Sequence, residues 1–293
     1  MKLWAFNDSH DWGTQLARAA QARGHDAHLF ENPREPDTGN VFMHMHHQPQ
    51  VRLLHKRCMA IMAMRPELNL IPSYRASCLF DDKLEQARQL ARWMPRTHVF
   101  YSPGAAKRWL DRGMTIPFVS KSSEGENSHN VRIIANLEDA YKEVRYAFSD
   151  IGIKCRHQQT QRGYLLWQSH VDSEAEYRVI AVGRQRLILR REGGDDRSVA
   201  QGQGQLRPVL RLDVDDHTVE LYALANRFFT EEGIKWGAVD MVRGPDGGWF
   251  VTGFTVRWTM HHYYECPFLF DEQKRCGNDI WNVLLDEIEA GAI

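Results

Sequence analysis

The opening stretch of the chain keeps switching hydrophobic period, and this limits the fold more than any other feature. Segments 3–6, 27–30, 41–45 and 68–71 are short and densely apolar, as strands are. Segment 14–23 and the stretch holding Leu53, Leu54, Met59, Ile61 and Met62 space their apolar residues at helical intervals, and Gly24 stops the first of these helices. Strands alternating with helices pair in parallel and bury their faces under the helices, so an open α/β lobe is expected over 1–78.

The pattern then changes. A helix is expected to begin at Asp81-Asp82-Lys83 and to run to Pro95, with Leu84, Ala87, Leu90, Ala91 and Met94 on one stripe. Strand patterns follow at 97–101, 116–121, 131–134, 164–171 and 176–182, and Asn136 is placed to cap a helix over 137–148. This is an α+β pattern, mostly antiparallel, and the central lobe is taken as 79–168. In the remainder, 169–293, segment 193–206 carries almost no apolar anchor and reads as a loop. A helix is expected over 219–230, another over 279–289, and between them a hairpin turning at Gly244-Pro245-Asp246-Gly247-Gly248. Counting back from that turn sets Asp240 opposite residues 252 to 253.

Composition excludes several classes. Hydrophobic residues make up 43% and charged residues 26%, with a net charge of −1, so the chain is globular and exerts no overall pull on nucleic acid or membrane. A nucleic-acid role would need a local patch such as 184–191. The five cysteines are scattered and never in C-x-x-C spacing, which fits reduced thiols. With no signal-peptide pattern and no bilayer-length apolar run, a soluble cytoplasmic protein without a membrane partner is expected.

The most chemically suggestive unit is Ile116-Pro117-Phe118-Val119-Ser120-Lys121, then a Gly/Ser/Asn-rich stretch from Ser122 to Asn130, then Val131-Arg132-Ile133-Ile134. Alone it is a hairpin with a polar tip. Small residues also let backbone N–H groups approach an anion, and a lysine at the strand end adds a fixed positive charge, so the same unit can serve as a phosphate flap.

Taken in order, Asp82-Lys83, Pro95-x-Thr97, Lys121 with its loop, Gln168, Glu176-Tyr177-Arg178-Val179, Arg190-Arg191 and Asp240 resemble the ATP-grasp superfamily, over residues 1 to about 258. That superfamily contains glutathione synthetase, D-alanine–D-alanine ligase and the ribosomal-protein glutamate ligases. The resemblance implies a three-lobed ATP-grasp architecture of α/β and α+β class: an open α/β lobe, a small central lobe and a C-terminal antiparallel lobe. It implies ATP and Mg²⁺ as cofactors. Lys83 and Lys121 would meet the phosphates, Gly125 and Ser128 would lie in the flap, Gln168 and Val171 would flank adenine, and Glu176 would meet the ribose. Arg178 and Arg190 would face the γ-phosphate, an acyl-phosphate or a substrate carboxylate. Arg191 would point away from Arg190 in a regular strand, so only one of them is expected at the site.

The metal ligands depart from the family pattern. Asp240 fits the first, but Gly253 stands where a glutamate is expected and Thr255 where an asparagine is expected. Asp240 with waters and the nucleotide phosphates remains one way to hold magnesium, and Glu265, Asp271 and Glu272 are substitutes if the tail folds back. His46, His47 and Gln48 end a strand of the first lobe, where substrate contacts are usual; with His44, His261 and His262 they leave a transition-metal site or plain packing open as well. The implied activity is an ATP-dependent ligase joining a small-molecule or peptide carboxylate to an amine through an acyl-phosphate. The alternative is a nucleotide-binding relative without ligase activity, serving regulation or assembly. A homo-oligomer is compatible with either.

Overall fold

The computed structural model describes residues 1–8, 10–123, 131–155, 160–192, 206–258 and 263–293. From the N-terminus the order is β1 (Lys2–Phe6), α1 (Trp12–Ala22), β2 (Asp26–Phe30), β3 (Gly39–Phe42), α2 (Pro49–Ala63), β4 (Leu68–Ile71), α3 (Tyr74–Leu79) and α4 (Lys83–Gln89). The four strands form a parallel sheet in the order β2-β1-β3-β4. Helix α1 packs tightly on β1 at Gly13, where a Cβ would stand 1.9 Å from the Phe6 carbonyl oxygen, so no larger residue fits. Gly24, at φ +78°, ends the helix as the sequence suggests. Strand β3 is shorter than expected and stops at Phe42, which leaves the histidines from His44 onward in the following loop.

Helix α4 corrects a second expectation. It ends at Gln89 rather than continuing to Pro95, and its buried residue is Gln86, not the predicted apolar stripe. Beyond the helix the Trp93 carbonyl accepts a hydrogen bond from Val251 N at 2.8 Å, so tertiary pairing consumes the backbone that a longer helix would have used. Helix α3 has no counterpart in the sequence reading.

The central lobe contains β5 (Thr97–Phe100), α5 (Pro103–Asp111), β6 (Phe118–Lys121), β7 (Val131–Ile134), α6 (Leu137–Ala147), β8 (Ile153–Lys154), β9 (Thr160–Gln161) and β10 (Leu165–Ser169). Its antiparallel sheet runs β5-β10-β6-β7, and β8 pairs with β9. Asn136 caps α6 by accepting from Asp139 N at 2.9 Å, as expected. Helices α5 and α6 close a separate core around Trp167, which is fully buried among Phe100, Phe118, Leu110 and Val144. Replacing it by alanine would cost about 3–5 kcal/mol.

The last lobe contains β11 (Ala175–Val182), β12 (Gln185–Glu192), β13 (Leu206–Pro208), α7 (Asp216–Glu231), β14 (Trp236–Arg243), β15 (Trp249–Thr255), β16 (Phe268–Leu269) and α8 (Ile280–Glu289). The antiparallel order is β13-β12-β11-β14-β15, with β16 against β12. Trp236 stacks on Trp258 and Trp281 and meets Trp12 and Phe42 edge-on, so the first and last lobes share one continuous core. Leu79, Phe80, Leu90, Trp93 and Met94 belong to that core too. Among the described residues no helix is long and apolar enough to cross a membrane.

Candidate active site

Where the central sheet meets the C-terminal sheet lies a cavity of about 360 Å³. Pro95, Val119, Ile133 and Val171 give it apolar walls, and Lys121, Glu176 and Thr252 make its polar part. Val119 and Lys121, two residues apart on β6, turn to the same side and so both reach the cavity.

Lys121 ends β6 and is buried. Its Nζ donates to Gln168 Oε1 and to the Thr252 carbonyl, both at 2.7 Å, and Gln168 Nε2 donates onward to Thr97 Oγ1 at 2.8 Å. Gln168 thus holds the lysine from the neighbouring strand. Burial, with Lys83 adding like charge, pushes the Lys121 ammonium down to about 7.

Lys83 opens α4, capped by Asp82, whose carboxylate accepts from Glu85 N at 3.0 Å. Its Nζ donates to Gln86 Oε1 at 3.2 Å. Gln86 is itself fixed, donating to the Leu79 and Phe254 carbonyls and accepting from Phe254 N. Burial lowers the pKa of Lys83 as well. The Lys83 backbone N–H donates to the Ser123 carbonyl at 2.8 Å, and Ser123 N donates to the Tyr164 hydroxyl at 3.0 Å, so the near end of the predicted flap rests against α4. Gly125 and Ser128 lie outside the described residues.

Glu176 and Arg178 occupy one face of β11, beside Asp240 of β14. Arg178 grips Asp240 with two bonds, Nε to Oδ1 at 2.6 Å and Nη2 to Oδ2 at 2.8 Å. Burial alone would raise the Asp240 pKa, but the Arg178 charge outweighs it and holds the carboxyl below its usual range. Glu176 accepts from Arg191 Nη1 at 2.5 Å and from Thr252 Oγ1 at 3.2 Å. Burial and the nearby Asp240 charge push its carboxyl up to about 7.

Arg190 requires a correction. Its cross-strand partner is Tyr177, whose ring lies under its guanidinium, and both line a different groove, with Arg207 and Asp215. Arg191 pairs with Glu176 and is the arginine that reaches the cleft. The sequence shows that the two point apart, but not which one faces inward, because that depends on the register of β11 against β12. Gln86, Thr252 and Arg257 were also missed; only Gln86, three residues after Lys83 on a helix, left a readable signal.

Asp240 pairs with Gly253, next to a bulge before Met241, as the turn count predicts. A Cβ added at Gly253 would lie 3.4 Å from Lys83 Nζ and 3.5 Å from Asp240 Oδ2. Magnesium is usually held by one or two carboxylates together with waters and phosphates, and among the described residues no carboxylate is left unengaged at this point. Both Asp240 oxygens are engaged by Arg178, and Gly253 has no side-chain oxygen to offer. The Thr255 hydroxyl donates to the Arg257 carbonyl at 2.8 Å and accepts from Arg257 N at 3.2 Å. Asp271 is bound by Arg275, while Glu265 and Glu272 are exposed.

A second polar cluster gathers at the C-terminal ends of β1 and β3. The strand order reverses direction between these two strands, which is where open α/β sheets form a crevice. Asp8 accepts from the backbone of His10 at 2.7 Å and of Gly13 at 3.0 Å, fixing the loop after β1. One ring nitrogen from each of His10, His46 and His47 falls within 4.8 Å of the others. Arg257, just past β15, donates to His47 Nδ1 and, at 3.3 Å, to His10 Nε2. A guanidinium on these nitrogens competes with a metal cation and favours an anion. The His46 ring accepts from Gln48 N at 3.0 Å, which orders the loop, while Gln48 itself is exposed. Burial lowers His44 to about 4, so its ring is neutral where it stacks on Trp12. His261 and His262 lie outside the described residues.

No protein-family model matches the sequence, and no curated protein matches it in sequence. Solved structures do match in fold. A RimK-domain ATP-grasp protein from Sphaerobacter thermophilus superposes over 97% of this chain and 98% of its own, at 17% identity and a TM-score of 0.61. The ATP-grasp ligase PsnB, in complex with a minimal precursor, Mg and ADP, matches over 98% of both chains at 14% identity and a TM-score of 0.59. The macrocyclase MdnC from Microcystis aeruginosa, bound to its precursor peptide MdnA, matches over 97% and 99% at 15% identity and a TM-score of 0.57. With the lysine-ended strand, the two-sheet cleft and near-complete superposition in agreement, the chain has the ATP-grasp fold.

Proposed function

We propose that the chain binds ATP in the cleft between the central and C-terminal sheets and uses it to activate a carboxylate for attack by an amine. The observation that carries this reading is the convergence of Lys83, at the start of α4, on Lys121, which ends β6 and lines a cavity of about 360 Å³. Adenine would lie between Val119, Ile133 and Val171, the ribose hydroxyls would reach Glu176, and the phosphates would meet the two lysines. The carboxylate oxygen attacks the γ-phosphorus as the bond to ADP breaks; the amine then attacks the acyl carbon and phosphate leaves. Arg178 and Arg191 would stabilise charge on the transferred group, and positioning with electrostatics would supply the rate. The acid would be held at the cluster of Arg257, His46, His47 and Gln48.

Peptide acids are favoured as substrates, because PsnB and MdnC are bound to precursor peptides and an exposed crevice suits an extended chain. A second reading is favoured by Gly253 and by the engagement of both Asp240 oxygens: a nucleotide-binding protein without acyl transfer, acting in regulation or assembly. The test is incubation of the chain with ATP, peptides bearing Asp or Glu side chains, and amines. ADP release that depends on the acid, with a product one water lighter than acid plus amine, supports the ligase. ATP binding without acid-dependent ADP release supports the second reading, and no ATP binding excludes both.

A further inference from the structure

Resting on the nucleotide reading, we infer that this cleft takes ATP without a divalent-metal clamp, with the Lys83 ammonium, seated beside side-chain-free Gly253, supplying the positive charge that a metal would bring. The position of Gly253 is the first ground. A Cβ there would make ordinary contacts with Lys83 Nζ at 3.4 Å and Asp240 Oδ2 at 3.5 Å, so the ammonium and the carboxylate flank the point from which a ligand side chain would start.

The ammonium is also held in place. Gln86 Oε1 accepts from Lys83 Nζ and from Phe254 N, next to Gly253 on the same strand, so α4 and β15 together fix the distance between lysine and glycine. A charge fixed before binding needs no reorganisation when an anion arrives.

The third ground is charge balance. Lys83, Lys121, Arg178 and Arg191 gather around Asp240 and Glu176. Asp81 also acts on Lys83 and Asp172 lines the cavity, but the two carboxylates nearest the phosphate end are already paired, Asp240 with Arg178 and Glu176 with Arg191. A doubly charged ion placed there would meet Lys83 and Arg178, with Asp240 and Glu176 already paired to arginines. Triphosphate oxygens carrying their full charge suit the same surroundings. A glutamate at 253 would add a ligand oxygen and pair with Lys83.

The experiment is calorimetric titration of ATP into the full chain, once with EDTA and once with excess MgCl₂. The expected result is saturable binding in EDTA, with a Kd within about threefold of that in magnesium. Gly253→Glu, checked for an unchanged melting profile, should shift to binding that magnesium tightens by about tenfold. Lys83→Gln leaves the backbone contacts in place and should weaken binding in EDTA by about tenfold or more. Wild-type binding that magnesium tightens by more than about tenfold, or a Lys83→Gln variant that binds as wild type in EDTA, would overturn the proposal while leaving the nucleotide reading intact. Absence of ATP binding in both buffers would overturn both.

Discussion

Arg178 and Asp240 stand directly opposite each other on β11 and β14 and are joined by two hydrogen bonds of 2.6 and 2.8 Å. The pair sits at the hub of the cleft, with Gly253 opposite Asp240 on the next strand. Its two bonds place a cation and an anion in fixed positions, and the neighbouring lysines and Glu176 arrange themselves around them.

Removing one partner should be costlier than removing both. Arg178→Met leaves Asp240 without both of its paired hydrogen bonds and is expected to destabilise the chain by about 2–3 kcal/mol, whereas Arg178→Met with Asp240→Asn should lose less. Denaturant midpoints of the single and double variants check this.

Lys121 predicts a pH dependence. Its ammonium is pushed down to about 7 from 10.5. A bound phosphate favours the charged form, so binding draws a proton onto the lysine, and ATP affinity should fall as pH rises above about 7. Fold stability runs the other way. Between about 7 and 10.5 the unfolded chain holds this proton and the folded chain does not, so the contribution of Lys121 to stability improves with pH. Titrations of ATP at several pH values should show the slope in wild type and a flatter profile in Lys121→Met.

The two adjacent arginines of β12 should separate cleanly. Arg191→Ala removes the partner of Glu176 and is expected to weaken ATP binding by about tenfold. Arg190→Ala alters a different groove and should leave ATP affinity unchanged. Equal losses in both variants would contradict the register described for β11 and β12.

Arg257 predicts a split between the two substrates. Arg257→Ala should raise KM for the acid by about tenfold or more while leaving ATP affinity as in wild type, because it lies at the histidine crevice and not in the nucleotide cavity. Steady-state kinetics with a reactive acid, alongside ATP calorimetry, measures both quantities.

Away from the cleft, Glu232 is buried and accepts from Trp93 Nε1 at 2.7 Å, from Arg92 Nη2 at 2.7 Å and from Arg75. Glu232→Ala leaves those donors without their acceptor and should cost about 3 kcal/mol, read as a lower denaturant midpoint with ATP affinity retained.

Much of the fold was legible because local signals and tertiary structure agree. Strands 68–71 and 131–134 coincide with β4 and β7, Asn136 caps α6, and the Gly244–Gly248 turn sets Asp240 opposite Gly253. Reading failed where tertiary contacts override local pattern. The apolar stripe after Lys83 mimics a long helix, yet Leu90, Trp93 and Met94 pack into the core as irregular chain. Helix α5 was missed although Ser102 caps it and Pro103 occupies its first turn, because Ser-Pro-Gly also signals a turn. At the site, Lys121 stands out at the end of its strand before a small-residue loop, while Lys83, Glu176 and Asp240 are singled out by the family resemblance. The inward choice of Arg191 and the arrival of Arg257 at His10 and His47 were not readable, since both depend on contacts between segments far apart in sequence.

The central claim is that Lys83 and Lys121 together grip a nucleotide in the cleft. The direct measurement is the melting temperature of the chain with and without saturating ATP, for wild type and for a Lys83→Met, Lys121→Met double variant. The prediction is a clear rise for wild type and none for the double variant. No rise in wild type, or an equal rise in both, would contradict it.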